Sequence, residues 1–183
     1  MNACAFVVGP REGSGAVLSE LARGLGFPTV LPYAGLAQAE RQAMRTPLCF
    51  FLFAETDELQ RLNHPARQIR FTGGHLLRFA PLIYFSSNPS VETIKSCIQM
   101  GFDDVITGPF TPKRAAPRLE RQIGTELVYY ETSSYFGPDR RGRMGEQRAV
   151  SPGTPQAQFR RIEIVRSYAT GINVLRDDLQ IVL

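Results

Sequence analysis

The chain has 183 residues, of which 43% are hydrophobic and 21% charged, the composition of an ordinary globular protein with room for one domain and a large appendage. No apolar run approaches the ~20 residues that span a bilayer, and the N-terminus lacks the pattern of a signal peptide, so we expect a cytoplasmic protein without a membrane partner. The net charge of +4 permits an acidic partner but does not establish nucleic-acid binding.

Short apolar runs bounded by glycine and proline predict five buried strands, at residues 3–8, 27–31, 47–54, 82–85 and 105–106. Helical periodicity predicts helices near residues 14–25, 35–45, 56–62, 91–101 and 112–123, with Ser14 as a candidate N-cap of the first. Strands that alternate with helices indicate an α/β fold, a doubly wound five-stranded parallel sheet of the receiver or flavodoxin type. Run 47–54 is the most apolar and should be the central strand. Region 55–80, broken by proline and glycine, is the least defined.

Cysteines are too few and too widely spaced to form a metal site. Cys4, Cys49 and Cys97 lie in or beside apolar runs, so we expect buried free thiols in a reducing compartment. The sequence predicts no cofactor.

The segment from Pro81 to Phe110 resembles one protein family. It has an apolar strand ending in a hydroxyl, a helix closed by glycine, an acidic pair, a second strand and Pro-Phe; the matching residues are Ser86, Gly101, Asp103, Asp104, Pro109 and Phe110. This combination resembles the receiver domain of two-component response regulators (CheY-like), over roughly residues 3–125. The resemblance implies a bacterial phosphorelay setting with a histidine kinase, a regulator or a second copy as partner. It also implies pairing through the face at about residues 91–122.

Phosphorylation of a receiver needs an aspartate nucleophile, magnesium held by carboxylates, and a lysine and a hydroxyl near the phosphoryl oxygens. The positions that correspond to the family's site carry mostly other residue types, and only the hydroxyl survives; these positions are Gly9, Pro10, Phe53, Ser86, Val105 and Gly108. We therefore predict a degenerate pseudo-receiver that is not an enzyme, holds no metal and acts through protein–protein interaction or as a homodimer.

Two carboxylate features are candidate remnants of a site. Glu55 could imitate a phosphorylated aspartate, but the favoured interpretation is a solvated loop carboxylate, and Ser86 is expected to bond to backbone. Asp103-Asp104 lacks a third metal ligand and is interpreted as a turn between helix and strand. A glycine-containing turn at residues 9–15 lacks the motif of a phosphate-binding loop.

The composition changes after residue 125. Residues 126–160 are predicted to be an aromatic and arginine-rich linker. Residues 161–183 should form a β-hairpin, with strands at 161–165 and 172–175. Asp177-Asp178 should then interrupt the second strand before the apolar end of the chain. The segment Tyr135–Arg141 is similar to tails attached to receiver domains in some bacterial signalling proteins. Tyr135 and Phe136 should anchor this tail on an apolar groove.

The tail arginines leave a second functional hypothesis open. They could remain a solvated basic loop, or they could bind an anionic nucleotide such as a cyclic dinucleotide; they are Arg140, Arg141, Arg143 and Arg148. Nucleic-acid binding ranks last, because no DNA-binding helix pair is recognisable.

Overall fold

A computed structural model describes residues 2–139 and 157–182. The first part of the chain forms a parallel sheet of β1 (Cys4–Val8), β2 (Thr29–Pro32), β3 (Cys49–Phe53), β4 (Leu82–Ser86) and β5 (Asp104–Thr107). Its strand order is β2-β1-β3-β4-β5, the doubly wound order of flavodoxin-like folds. The predicted fold class and the central position of the third strand are therefore confirmed.

Helices cover both faces of this sheet, because side chains alternate between the faces along each strand. In β3, Phe50 and Leu52 join the apolar cluster on one face, while Phe51 and Phe53 join the cluster on the other. The long connecting helices are α1 (Ser14–Gly24), α2 (Leu36–Ala43), α5 (Val91–Gln99) and α6 (Pro112–Glu120). All three cysteines are buried and free, as predicted.

The connection between β3 and β4 consists of short helical pieces. They are a 3₁₀ turn (Leu59–Leu62), α3 (Asn63–Arg67), a π-helical turn (Gln68–Thr72) and α4 (His75–Arg78). Gly73 ends the π-helical turn, where an added Cβ would lie 2.3 Å from the carbonyl oxygen of Ile69. The π-helical turn aims Arg70 into the protein, where it is fully buried.

A second, antiparallel sheet follows. It consists of β6 (Glu126–Glu131), β7 (Phe136–Pro138), β8 (Ala157–Ser167) and β9 (Gly171–Val182), in the order β7-β6-β8-β9. The predicted C-terminal hairpin is present as β8 and β9. The other two strands of the sheet, β6 and β7, lie in the segment for which the sequence predicted a linker.

The acidic pair in the hairpin does not break its strand, contrary to the prediction. β9 continues through Asp177 and Asp178 to residue 182. Asp177 is compatible with a strand because Nε of Arg160, on the adjacent strand, donates to its carboxylate at 3.0 Å.

The antiparallel sheet packs at the amino-terminal edge of the parallel sheet, beside the residues that precede β3, β4 and β5. Phe136 is buried and its ring centroid lies 5.2 Å from that of Phe79, which confirms its predicted role as an anchor. The contact is close, because a Cβ on Gly101 would lie 2.1 Å from the carbonyl oxygen of Phe136. No helix in the two described ranges is both long and apolar enough to cross a bilayer.

Candidate functional site

The carboxyl-terminal edge of the parallel sheet is the edge at which doubly wound folds place their sites. Gly9 and Pro10 follow β1 there, and Ser86 ends β4. Phe53 ends β3, but its side chain is fully buried, with its ring centroid 4.7 Å from that of Phe102. An apolar ring in that position presents no nucleophile at the edge.

Glu55 supplies the carboxylate at this edge, two residues beyond the end of β3. The Ser86 hydroxyl donates to Oε1 of Glu55 at 2.8 Å, and the Ser87 backbone N–H donates to the same oxygen at 2.9 Å. The Ser87 hydroxyl donates to Oε2 at 2.7 Å. Glu55 is therefore a bound carboxylate that joins β3 to β4. The expectation of a Ser86 bonded to backbone was wrong, and Glu55, although partly exposed to solvent, is also held by hydrogen bonds.

The hydrogen bonds stabilise the ionised form of Glu55. Partial burial acts to raise its pKa, but the bonds from Ser87 and Ser86 outweigh burial and hold the pKa below its ordinary value. At neutral pH the side chain is therefore a carboxylate with three donors directed at it.

The turn after β1 supports this arrangement from the other side. The Ser14 hydroxyl donates to the backbone carbonyl of Glu55 at 2.9 Å, so it does not cap α1, whose cap position is Gly13. A Cβ on Gly9 would lie 2.8 Å from Cβ of Ala54, which shows how closely this turn approaches the segment leading to Glu55. The turn after β1 thus packs directly on the end of β3.

The remaining predicted positions lie on and after β5. Val105 is half-buried within the strand, and Gly108 follows it. A Cβ on Gly108 would lie 3.3 Å from the backbone of Ser87. Within residues 2–139 and 157–182, no group of three or more His, Cys, Asp or Glu residues is placed to hold a metal ion.

A second polar cluster lies at the opposite, amino-terminal edge and is completely buried. Asp103 is its centre, with a side chain 2% exposed between two guanidinium groups that are 0% exposed. Arg70 donates to Oδ2 at 2.7 Å, and Arg166 donates to Oδ1 at 2.7 Å. The backbone N–H of Leu82 and the hydroxyl of Tyr129 complete the shell of donors. We call Asp103, Arg70, Arg166 and Tyr129 the ionic cluster.

The N–H groups of the two arginines that do not bond to Asp103 donate mainly to backbone carbonyls. Arg70 donates to the carbonyl of Gly101, at the end of α5, and to those of Arg78 and Ala80. Arg166 donates to the carbonyl of Phe79 at 2.8 Å and to the Gln122 side chain at 2.9 Å. The excess positive charge of the cluster is thus directed at carbonyl dipoles.

The charges determine the protonation of the cluster. Burial alone would raise the pKa of Asp103, but the Arg166 and Arg70 guanidinium groups lower it to about 2. Burial raises the pKa of Tyr129, which therefore remains a neutral donor. Because Arg166 and Tyr129 belong to the antiparallel sheet and Asp103 precedes β5, the cluster joins the two sheets.

Neither buried arginine was predicted from the sequence. The signal for Arg166 was present in strand alternation, since Ile162, Ile164 and Arg166 occupy one face of β8. Arg70 lies in the irregular connection and had no comparable signal. The acidic pair is more than a turn, because Asp104 also binds an arginine: Nε of Arg118 donates to it at 2.7 Å.

A surface pocket of about 250 Å³ opens between α5 and the irregular connection. Leu59, Phe71, Met100 and Phe136 contribute apolar surface to it, and the guanidinium of Arg67 lies 4.8 Å from the Phe71 ring centroid. The predicted anion-binding residues, Arg140, Arg141, Arg143 and Arg148, lie outside the described residues.

No protein-family model matches this chain, and no curated protein matches it. Among solved structures, the receiver domain of a sensor histidine kinase from Pseudomonas aeruginosa PAO1, with a magnesium ion coordinated in its active-site cleft, is 20% identical with a TM-score of 0.45; the match covers 65% of this chain and 96% of that chain. A response regulator in red light signalling of R. palustris is 12% identical with a TM-score of 0.37; the match covers 64% of this chain and 90% of that chain.

Proposed function

We propose that this protein is a pseudo-receiver, a bacterial signalling module of the two-component type that acts through protein contact without being phosphorylated. The observation that carries the proposal is the bound state of Glu55, whose two carboxylate oxygens already occupy the hydroxyls of Ser86 and Ser87. A receiver engages its strand-end hydroxyl with a phosphoryl oxygen; here a permanent carboxylate makes that contact.

Two further features support the proposal. The strand order β2-β1-β3-β4-β5 is that of receiver folds. Phe53, at the end of the central strand, is buried in the apolar cluster and has no nucleophilic atom. Glu55 could replace it as an acceptor only by giving up three hydrogen bonds.

The proposal is tested by incubation of the full chain with acetyl phosphate and magnesium, followed by intact-mass spectrometry. We expect an unchanged mass for the native chain and for the Glu55→Gln variant, beside a competent receiver domain that gains one phosphoryl group. A stoichiometric, acid-labile adduct on the native chain would refute the proposal.

The contact function is tested separately, by capture of binding proteins with the native chain and with Glu55→Gln as baits. The variant keeps the shape of the side chain but removes its charge, so it weakens the bonds that join β3 to β4. We expect a histidine kinase or a response regulator among the captured proteins, in smaller amount with the variant. Equal capture by both baits would show that partner binding does not depend on the carboxyl-terminal edge of the parallel sheet.

A further inference from the structure

β9 forms one edge of the antiparallel sheet. It is 12 residues long, and its one neighbour within the described chain is β8. An edge strand presents a row of unpaired N–H and C=O groups, which proteins usually protect by shortness, lysine, proline or a cover. β9 contains no lysine or proline, and its protection consists of a β-bulge at Leu175 and the charges of Arg176, Asp177 and Asp178. Three of its apolar side chains are more than half exposed: Leu175 at 53%, Leu179 at 57% and Ile181 at 57%.

The charges on the hairpin follow a pattern that ends at this edge. Arg161 of β8 stands opposite Asp178 of β9, and Glu163 of β8 stands opposite Arg176 of β9. Arg161 and Glu163 also form an ion pair along β8, as Arg176 and Asp178 do along β9. Opposite charges therefore alternate both along and across the two strands, an arrangement that stabilises strand pairs. The next strand outward would continue it with an arginine opposite Asp178 and an acid opposite Arg176.

We infer that the strand which continues the pattern is β9 of a second copy of this chain. In an antiparallel pair with its two-fold axis at Asp177, Arg176 of each copy stands opposite Asp178 of the other. Leu175 is the extra residue of a β-bulge between Val174 and Arg176, so the pairing across the axis is centred on residues 176–178. A two-fold axis requires a self-complementary surface, and this sequence of charges is self-complementary.

The axis itself brings together two copies of Asp177. Each already has its own counter-charge, because Arg160 donates to it at 3.0 Å from the adjacent strand. The two aspartates therefore arrive at the axis with two arginines, and the centre of the interface is balanced in charge. The outcome is one continuous antiparallel sheet that spans the dimer.

This inference rests on the proposed function in that it names the partner for contact. It fails separately, because a monomeric chain refutes the dimer but leaves the phosphorylation assay unaffected.

The experiment uses light scattering after gel filtration, on the full chain and two charge-reversal variants. We expect the native chain to have twice the 20.4 kDa mass of one chain. Arg176→Asp places acids opposite acids, and Asp178→Arg places arginines opposite arginines, so each variant alone should lose the dimer. An equimolar mixture restores both opposite-charge pairs and should restore the dimeric mass. Arg61→Asp, which reverses an exposed charge far from β9, is the matched control and should remain dimeric.

Three results would overturn the inference. They are a native chain with the mass of one copy at every concentration, variants that stay dimeric, or a mixture of the two variants that stays monomeric. Hydrogen exchange of the native chain gives a measurement that needs no variant. Protection of the β9 amides should rise with protein concentration, and β9 amides that exchange equally fast at all concentrations would also contradict the interface.

Discussion

Replacement of Asp103 by asparagine tests the ionic cluster with almost no change in side-chain volume. The native carboxylate accepts hydrogen bonds from Arg70, Arg166, Tyr129 and the Leu82 backbone. Asparagine keeps one oxygen but turns an NH₂ group toward donors, and it leaves two buried guanidinium groups without a counter-charge. Removal of one partner from a buried ion pair costs about 3–5 kcal/mol of folding free energy. The native bonds are well formed and both arginines are 0% exposed, so we expect a value in that range.

The assay is urea unfolding followed by circular dichroism, with the loss calculated from the shift of the midpoint at unchanged slope. Asp104→Asn is the matched control, because it makes the same change one residue away, against an arginine that is 37% exposed. We expect that control to cost about 1 kcal/mol, since solvent screens its pair. If Asp103→Asn cost no more than Asp104→Asn, the ionic cluster would not be the anchor that its burial indicates.

Three further predictions follow from the same geometry. The pKa of Asp103 is about 2 in the folded chain and near 3.8 ordinarily, so its contribution is fully present above pH 5 and is lost as the pH falls toward 2. This contribution to the free energy of unfolding amounts to roughly 2 kcal/mol. Unfolding at a series of pH values should therefore show that the stability of Asp103→Asn falls less steeply toward acid pH than that of the native chain. The lowered pKa of Glu55 predicts that the NMR signal of the Ser87 amide titrates with a midpoint below the ordinary carboxyl pKa; a midpoint at or above that value would contradict the hydrogen bonds. Gly101→Ala should destabilise the chain in urea by about 2 kcal/mol more than Gly124→Ala, because both have positive φ but an added Cβ at 101 also meets backbone at 2.1 Å, whereas none lies within 4 Å at 124. Equal losses would show that the close contact relaxes.

The parallel sheet was predictable because its signals are local. Continuous apolar runs such as residues 47–54, with glycine or proline nearby, specify buried strands whichever helices cover them. The intervening helices could be recognised from their apolar periodicity. The short strands β6 and β7 lacked such local signals. A six-residue aromatic segment such as β6 resembles a linker unless its partner strand is known.

The site was less predictable because its contacts are distant in sequence. Ser86 lies 31 residues from Glu55, and nothing local distinguishes a carboxylate that receives three hydrogen bonds from a solvated one. Arg166 lies 63 residues from Asp103, and burial of an arginine runs against the general preference for exposure. A charge on the apolar face of an alternating strand is the clue that sequence analysis should have followed to a buried partner.

The placement of the ionic cluster bears on where the chain could be cut. A fragment that ended near residue 125 would contain every strand of the parallel sheet, yet it would lose the tyrosine and one of the two arginines around Asp103. It would also uncover Phe79, which is buried against Tyr129 and Phe136 in the whole chain. We therefore expect an excised fragment of residues 1–125 to be poorly stable.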